Sequence, residues 1–359
     1  MHAGLFAFAF LYVKSSVRRL LEMKRLEAWL VLLLVLVLGS VGCGQAPAES
    51  SEGTSPFKDA QTSTRPRVVS TTFPGYDFAR AVLGNDTSIS MLLPPGAESH
   101  SFEPTPRDIL LIQNCDVFVY GGGESDAWVD GILASMDTSS MTIIPMMHVV
   151  DVVPEELVEG METDHEHEEG EEHGEEEHQE EQREYDEHVW TSPVNAIAIV
   201  RAIAEAICAI DADHADEYVA NADAYVAKLE AIDTAFREVR SQAVRTTLIF
   251  SERFPFRYFV DAYDLDYFAA FPGCSTETEA SAQTVAFLID KTADENIPVV
   301  FYTEFSNEKM ANTLCEATGA KKLLFHSCHN ITRDELQQGV TYVELMTANV
   351  EALREALNQ

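Results

Sequence analysis

Residues 215–241 carry Tyr218, Ala222, Tyr225, Leu229, Ile232, Phe236 and Val239 at intervals of three and four. That period places apolar side chains on one side of a helix. A helix of this length divides the chain and can act as a spine between two lobes. On both sides of it, short apolar runs alternate with helical segments. Before it, residues 67–72 (RVVSTT), 89–93, 117–120 (VFVY) and 142–145 read as strands, with helices over 76–83, 105–112, 128–136 and 192–210. After it, residues 247–250 (TLIF), 267–271, 299–302 and 322–325 read as strands, with helices over 254–262, 280–293, 306–318 and 341–357. Apolar strands separated by helices predict parallel sheets covered on both faces. The expected fold class is α/β, with two similar lobes, each a parallel sheet flanked by helices, joined by a long rigid spine helix. The expected boundaries are an N-terminal lobe over 67–214, a linking helix over 215–243 and a C-terminal lobe over 244–359. Ligands in such architectures sit in the crevice beyond the carboxyl ends of the strands.

The stretch 161–190 reads METDHEHEEGEEHGEEEHQEEQREYDEHVW. Such a composition cannot bury enough apolar surface to offset chain ordering, so residues 161–187 are expected to form a disordered loop. His165, His167, His173 and His178 are interleaved with carboxylates. Imidazole together with carboxylate suits borderline divalent cations, Zn²⁺ above all. The loop therefore reads as an accessory metal collector; a solvated acidic linker is the alternative. Much of the net charge of -36 sits in this stretch. With no clustered Lys/Arg patch, the chain is not expected to bind nucleic acid, and its field attracts cations.

Residues 29–38 are a nearly unbroken apolar run, WLVLLLVLVL, preceded by Lys24 and Arg25 and followed by GSVGC. A basic segment, a short apolar run and small residues before Cys43 predict a signal peptide over 1–43 with a lipoprotein cleavage site before Cys43. Ser40 is a weak match to that site, and a single uncleaved anchor is the alternative. Met23 reads as a better start than Met1. Residues 44–66 read as a flexible tether. The protein is then expected outside the cytoplasm, held by a lipid on the outer face of the cytoplasmic membrane or in a periplasm. Export favours oxidised cysteines. Cys115 and Cys208 read as core residues, whereas Cys274 and Cys328, both in loop-like sequence, are the expected disulfide.

Donor groups recur where predicted strands end. His100 follows PPG, His188 closes the acidic stretch, and Glu252 follows TLIF. Glu304 follows VVFY, and His326 and His329 follow KLLF. No two bind a metal alone, so such a site forms only when the chain folds. A metalloenzyme is not expected. There is no HExxH, and a site closed by four protein ligands has no position for water. Gly121-Gly122-Gly123 follows a strand but lacks a phosphate-loop signature.

Residues 67–357 resemble the bacterial zinc/manganese solute-binding lipoproteins of ABC transporters, the ZnuA-like cluster A-I family. VVSTTFPGYDFARAVLGN is similar to its opening strand and helix, and PPGAESHSFEPTPRDI to the motif that carries its first ligand. DEHVWTSPVNAIAIVRAIAEAI is similar to the second-ligand motif, and YVELMTANVEALREAL to its closing helix. An acidic, His-rich insertion before the second motif is typical of zinc-preferring members. The resemblance implies metal ligands at His100, His188, His326 and a carboxylate, for which Glu252 is the choice and Glu304 the competitor. His329 is a further possible ligand. The sequence departs from the family where Ser251 and then Glu252 replace a His or Glu, and where His326 replaces an Asp. A nitrogen-rich set favours Zn²⁺ over Mn²⁺. The implied function is capture of Zn²⁺ by a monomer and delivery to an ABC permease and its ATPase, with release through local loop changes. An Mn²⁺-specific protein of the same family and a surface adhesin are the alternatives.

Overall fold

A computed structural model describes residues 65–84, 88–99, 101–162, 184–275 and 279–358. The expected signal peptide, Cys43 and nearly all of the tether lie outside the described residues. So do His100, His165, His167, His173 and His178.

The first sheet contains β1 (Val68–Ser70), β2 (Ile89–Met91), β3 (Val117–Tyr120) and β4 (Thr142–Pro145), all parallel, in the order β2-β1-β3-β4. Between its strands run α1 (Phe73–Leu83), α2 (Pro106–Gln113) and α3 (Ala127–Leu133). Then come α4 (Pro193–Ile210) and the long α5 (Ala215–Ser241). The second sheet has the order β10-β9-β5-β7, built from β5 (Thr247–Phe250), β7 (Asp266–Phe268), β9 (Val299–Tyr302) and β10 (Lys321–Leu324). It too is wholly parallel. A separate parallel pair joins β6 (Arg253–Phe254) to β8 (Phe271–Pro272). The remaining helices are α6 (Arg257–Tyr263), α7 (Ala282–Asp294), α8 (Lys309–Thr318), α9 (Arg333–Gln338) and α10 (Tyr342–Leu357).

The inner strands of both sheets are buried on both faces, and the strand period of two divides their side chains. Val68, Val117 and Val119 enter the main core while Val69, Phe118 and Tyr120 enter an outer cluster with Leu111, Ile112 and Val129. In the second sheet Leu248, Phe250, Val299 and Phe301 face the main core, and Ile249 and Val300 pack outward on Leu288 and Leu314. All seven apolar positions that predicted α5 are buried in the main core.

Asp77 ties three helices together. It is 1% exposed, and its Oδ2 accepts from the Tyr225 hydroxyl (2.7 Å) and from the Tyr342 N–H (2.9 Å). Its other oxygen pairs with Arg80, which also donates to the Val340 carbonyl at 3.1 Å. The knot joins α1 to α5 and to the first turn of α10.

Several boundaries differ from the sequence expectation. The helix expected from residue 76 starts at Phe73, so Phe73-Pro74-Gly75 is the first turn of α1. Proline fits there because the first helical N–H groups have no intrahelical partner. Gly75 is required by a close approach, since a Cβ would lie 2.4 Å from Ser70 Oγ. The helix expected from residue 254 begins at Arg257, and Arg253–Phe254 is a strand instead. Pro255 disfavours helical backbone at Phe254. The strand expected over 267–271 is divided between β7 and β8. The helix expected from residue 306 starts at Lys309, because Glu308 has left-handed backbone (φ 57°). Helix α9 was not anticipated, although Thr332 and Glu335 form a reciprocal capping box.

The expected Cys274–Cys328 disulfide is absent. All five described cysteines are free. Cys274 lies near Glu155, Asp186 and Glu187, whereas Cys328 is fully buried near Tyr225 and Tyr342. Burial first, and nearby carboxylates second, raise both thiol pKa values, which makes them unreactive.

Candidate metal centre

The loops that follow the C-terminal ends of strands from both sheets meet in a small cleft of about 60 Å³. The loop after β2 contributes Leu93, Glu98 and Ser99. From the second sheet come Arg253 after β5, Glu304 after β9, and Ser327, His329 and Asn330 after β10. His188 enters from the segment that precedes α4. This is where parallel α/β sheets place ligands, because loops converge beyond the strand carboxyl ends.

His188 is held from several directions. Its segment is fixed by Asp186 N–H donating to the Val153 carbonyl (3.1 Å) and by Tyr258 Oη donating to the Asp186 carbonyl (2.7 Å). Asp186 Oδ1 accepts from the His188 backbone N–H at 2.8 Å and lies 3.2 Å from Nδ1. A carboxylate accepts only, so Nδ1 carries the proton and Nε2 keeps its lone pair. Burial would lower the His188 pKa, but the charge and hydrogen bond of Asp186 outweigh it and the net shift is upward.

His329 faces His188, with ring centroids 5.4 Å apart and planes at 84°. Trp190 packs against both rings, at 5.5 Å from His188 and 4.9 Å from His329. Its indole N–H donates to the Ser327 carbonyl (2.9 Å), and its own carbonyl accepts from Tyr342 Oη (2.6 Å). His329 Nδ1 lies 3.4 Å from Ser99 Oγ. Asn330 Nδ2 donates to the carbonyls of Pro94 (2.8 Å) and Ala97 (2.9 Å), which joins the loops after β2 and β10.

Glu304 lines the cleft, with its carboxylate engaged by Ser327. Oε2 accepts from the Ser327 N–H at 2.8 Å, and Oε1 accepts from the Ser327 hydroxyl. It braces the loop that carries His329. The other two expected ligands are not among the residues lining the cleft, and of these His326 has its Nδ1 3.6 Å from Glu304 Oε1. Glu252 accepts from the Ser306 hydroxyl, and burial raises its pKa. His326 is 4% exposed, and its Nδ1 accepts from the Cys328 N–H at 2.9 Å. Asn349 clamps its backbone on both sides, at 2.8 Å each. Among the described residues no three His, Cys, Asp or Glu side chains group as a metal ion requires. Ser99, which precedes His100, lies in the cleft wall.

Trp190, Arg253 and Glu98 were not singled out from sequence. Trp190 offered a signal, two residues after His188 in DEHVW.

A second carboxylate cluster lies behind the cleft. Asp126 Oδ2 accepts from Gly121 N–H (2.7 Å) and Gly122 N–H (3.4 Å), and Glu187 is hydrogen-bonded by Ser125. Burial, with a smaller contribution from the Glu187 charge, pushes the Asp126 pKa up to about 6 from an ordinary 3.8. Between those two values the folded protein holds a proton that the unfolded chain has lost. Asp126 therefore contributes stability that is lost as pH rises through this window, by about 3 kcal/mol for this group. Urea midpoints across that pH range should show this slope, and Asp126→Asn should remove most of it.

The chain matches, over residues 68–356, the family described as the periplasmic component A of the zinc-uptake complex, ZnuA. The chain belongs to this family. It is 32% identical over 290 residues to the high-affinity zinc uptake system protein ZnuA of Bacillus subtilis, covering 81% of this chain and 87% of that one. It is 30% identical over 299 residues to the zinc-binding lipoprotein AdcA of Streptococcus pneumoniae, covering 83% of this chain and 57% of AdcA. The chain thus spans little more than half of AdcA's length. The crystal structure of the Zn(II)-bound ZnuA-like domain of S. pneumoniae AdcA superposes with a TM-score of 0.65 at 27% identity, covering 82% of this chain and 100% of that domain. The ZnuA family accounts for the paired parallel sheets and the long α5.

Proposed function

We propose that this chain is the extracytoplasmic solute-binding component of a metal ABC importer, capturing Zn²⁺ in the cleft and delivering it to a permease with its ATPase. The observation that carries this reading is the pair of facing imidazoles, His188 and His329, 5.4 Å apart between ring centroids. They come from opposite sides of α5 in the chain, and Asp186 already fixes the tautomer of one. A metal-binding histidine typically donates its other N–H to a carboxylate in this way. Nitrogen donors favour Zn²⁺ over Mn²⁺. The zinc-uptake names of the relatives support the same cargo. His100, named by its sequence motif next to the cleft residue Ser99, is the proposed third imidazole. Glu304 then positions the His329 loop. The apolar run before Cys43 and the lipoprotein name of AdcA support a lipid anchor outside the cytoplasm.

Replacing donors separately tests the ligand assignment. In Zn²⁺ titrations against a competing chelator, His329→Ala should lower affinity at least tenfold, whereas Glu252→Ala and His326→Ala should keep both affinity and stoichiometry. Wild-type affinity in His329→Ala together with loss in Glu252→Ala would overturn the assignment.

A further inference from the structure

Arg253 is a fixed cation in a cleft proposed to bind a cation. It lies in the same lining as His188 and His329. Its Nη2 reaches Glu98 Oε2 on the loop after β2 at 2.8 Å, and its Nη1 donates to the Ser275 carbonyl at 3.3 Å. A guanidinium cannot shed its proton in a protein. Its charge therefore opposes entry of a divalent ion, and Glu98 is the carboxylate that cancels it. The two side chains are 26% and 45% exposed. The pair thus contacts solvent, and its binding energy alone contributes little to stability. Its charge still acts on the cleft.

We propose that Arg253 tunes the cleft's affinity for its ion by engaging Glu98 as a counter-charge, so that the cleft binds Zn²⁺ less tightly than it would with Glu98 uncompensated. The proposal rests on the cation reading above. Arg253, not the pair, holds affinity down, because a carboxylate not neutralised by arginine would deepen the negative potential at the ion. Arg253 is accordingly an affinity-setting residue, not a ligand.

Opposite signs separate this from a latch that merely holds two loops together. Arg253→Gln removes a positive charge and releases Glu98, so Zn²⁺ affinity should rise, by roughly three- to tenfold for a partly solvated charge at low salt. Glu98→Gln leaves the guanidinium uncancelled, so affinity should fall by a similar factor. The double variant replaces a neutral pair with a neutral pair and should return close to wild type. Both single-variant differences should shrink near 1 M NaCl, where the screening length is about 3 Å. The measurement is chelator-competed Zn²⁺ binding at low and high salt, with His188→Ala alongside. A loss of affinity in both single variants, or no change in either, overturns the tuning role. Equal binding by wild type and His188→Ala overturns the cleft reading itself.

Discussion

His188→Ala should lower Zn²⁺ affinity by more than the roughly 10–100-fold that loss of an outer hydrogen-bond partner costs, and Asp186→Asn should lower it by about that 10–100-fold. The two effects differ because the substitutions remove different things. Alanine at 188 deletes the nitrogen facing the cleft. Asparagine at 186 leaves an acceptor near Nδ1 but removes the negative charge that makes the ring a better donor to the ion. Asp186 also holds the His188 backbone N–H at 2.8 Å, so its substitution loosens where the ring stands. Chelator competition at neutral pH measures both. A proton competes with the ion for Nε2, and Asp186 raises the pKa of that imidazole. Wild-type affinity should therefore weaken as pH falls through the imidazole range. Unchanged affinity in His188→Ala would remove the foundation of the proposed site.

Asp77→Ala costs about 3–5 kcal/mol of folding stability, the range for removing one partner from a buried ion pair. The Tyr225 hydroxyl and the Tyr342 N–H both lose their acceptor, and Arg80 loses its counter-charge. Arg80 retains the Val340 carbonyl, which is neutral and does not balance it. Asp77→Asn keeps an oxygen for one of the two donors and should cost less. Urea unfolding of the three proteins gives the differences directly. A loss below about 1 kcal/mol for Asp77→Ala would show that the knot is compensated elsewhere. The tie matters beyond stability, because Tyr342 also donates to the carbonyl of Trp190, which packs on both cleft histidines.

The sheets and the long helix were legible because their signals are periodic. Alternate residues of VFVY and VVFY go to opposite cores, and the three- and four-residue spacing of α5 leaves a single apolar stripe. Boundaries drifted where a single residue overrides a pattern, as Pro255 does before α6 and Glu308 before α8. The disulfide expectation failed for a related reason. Two loop-like cysteines look equivalent in sequence, yet Cys328 turns inward through left-handed backbone at φ 60° and is completely buried.

The candidate ligands divide along the same line. The residue types, their positions after strand ends and the His-rich stretch were enough to propose nitrogen donors for a divalent cation at the strand ends of an α/β fold. Only the tertiary structure distinguished His329 from His326. The two are three residues apart in a loop with no repeating geometry, so no period says which imidazole faces the cleft. Asn349 and the Cys328 N–H engage His326, and Ser99 and Trp190 flank His329. The same holds for Arg253 and Glu98, 155 residues apart in the chain. Local sequence sets which elements form, because periodicity and backbone preference act over a few residues. Which side chains face one another across the cleft depends on packing between distant segments.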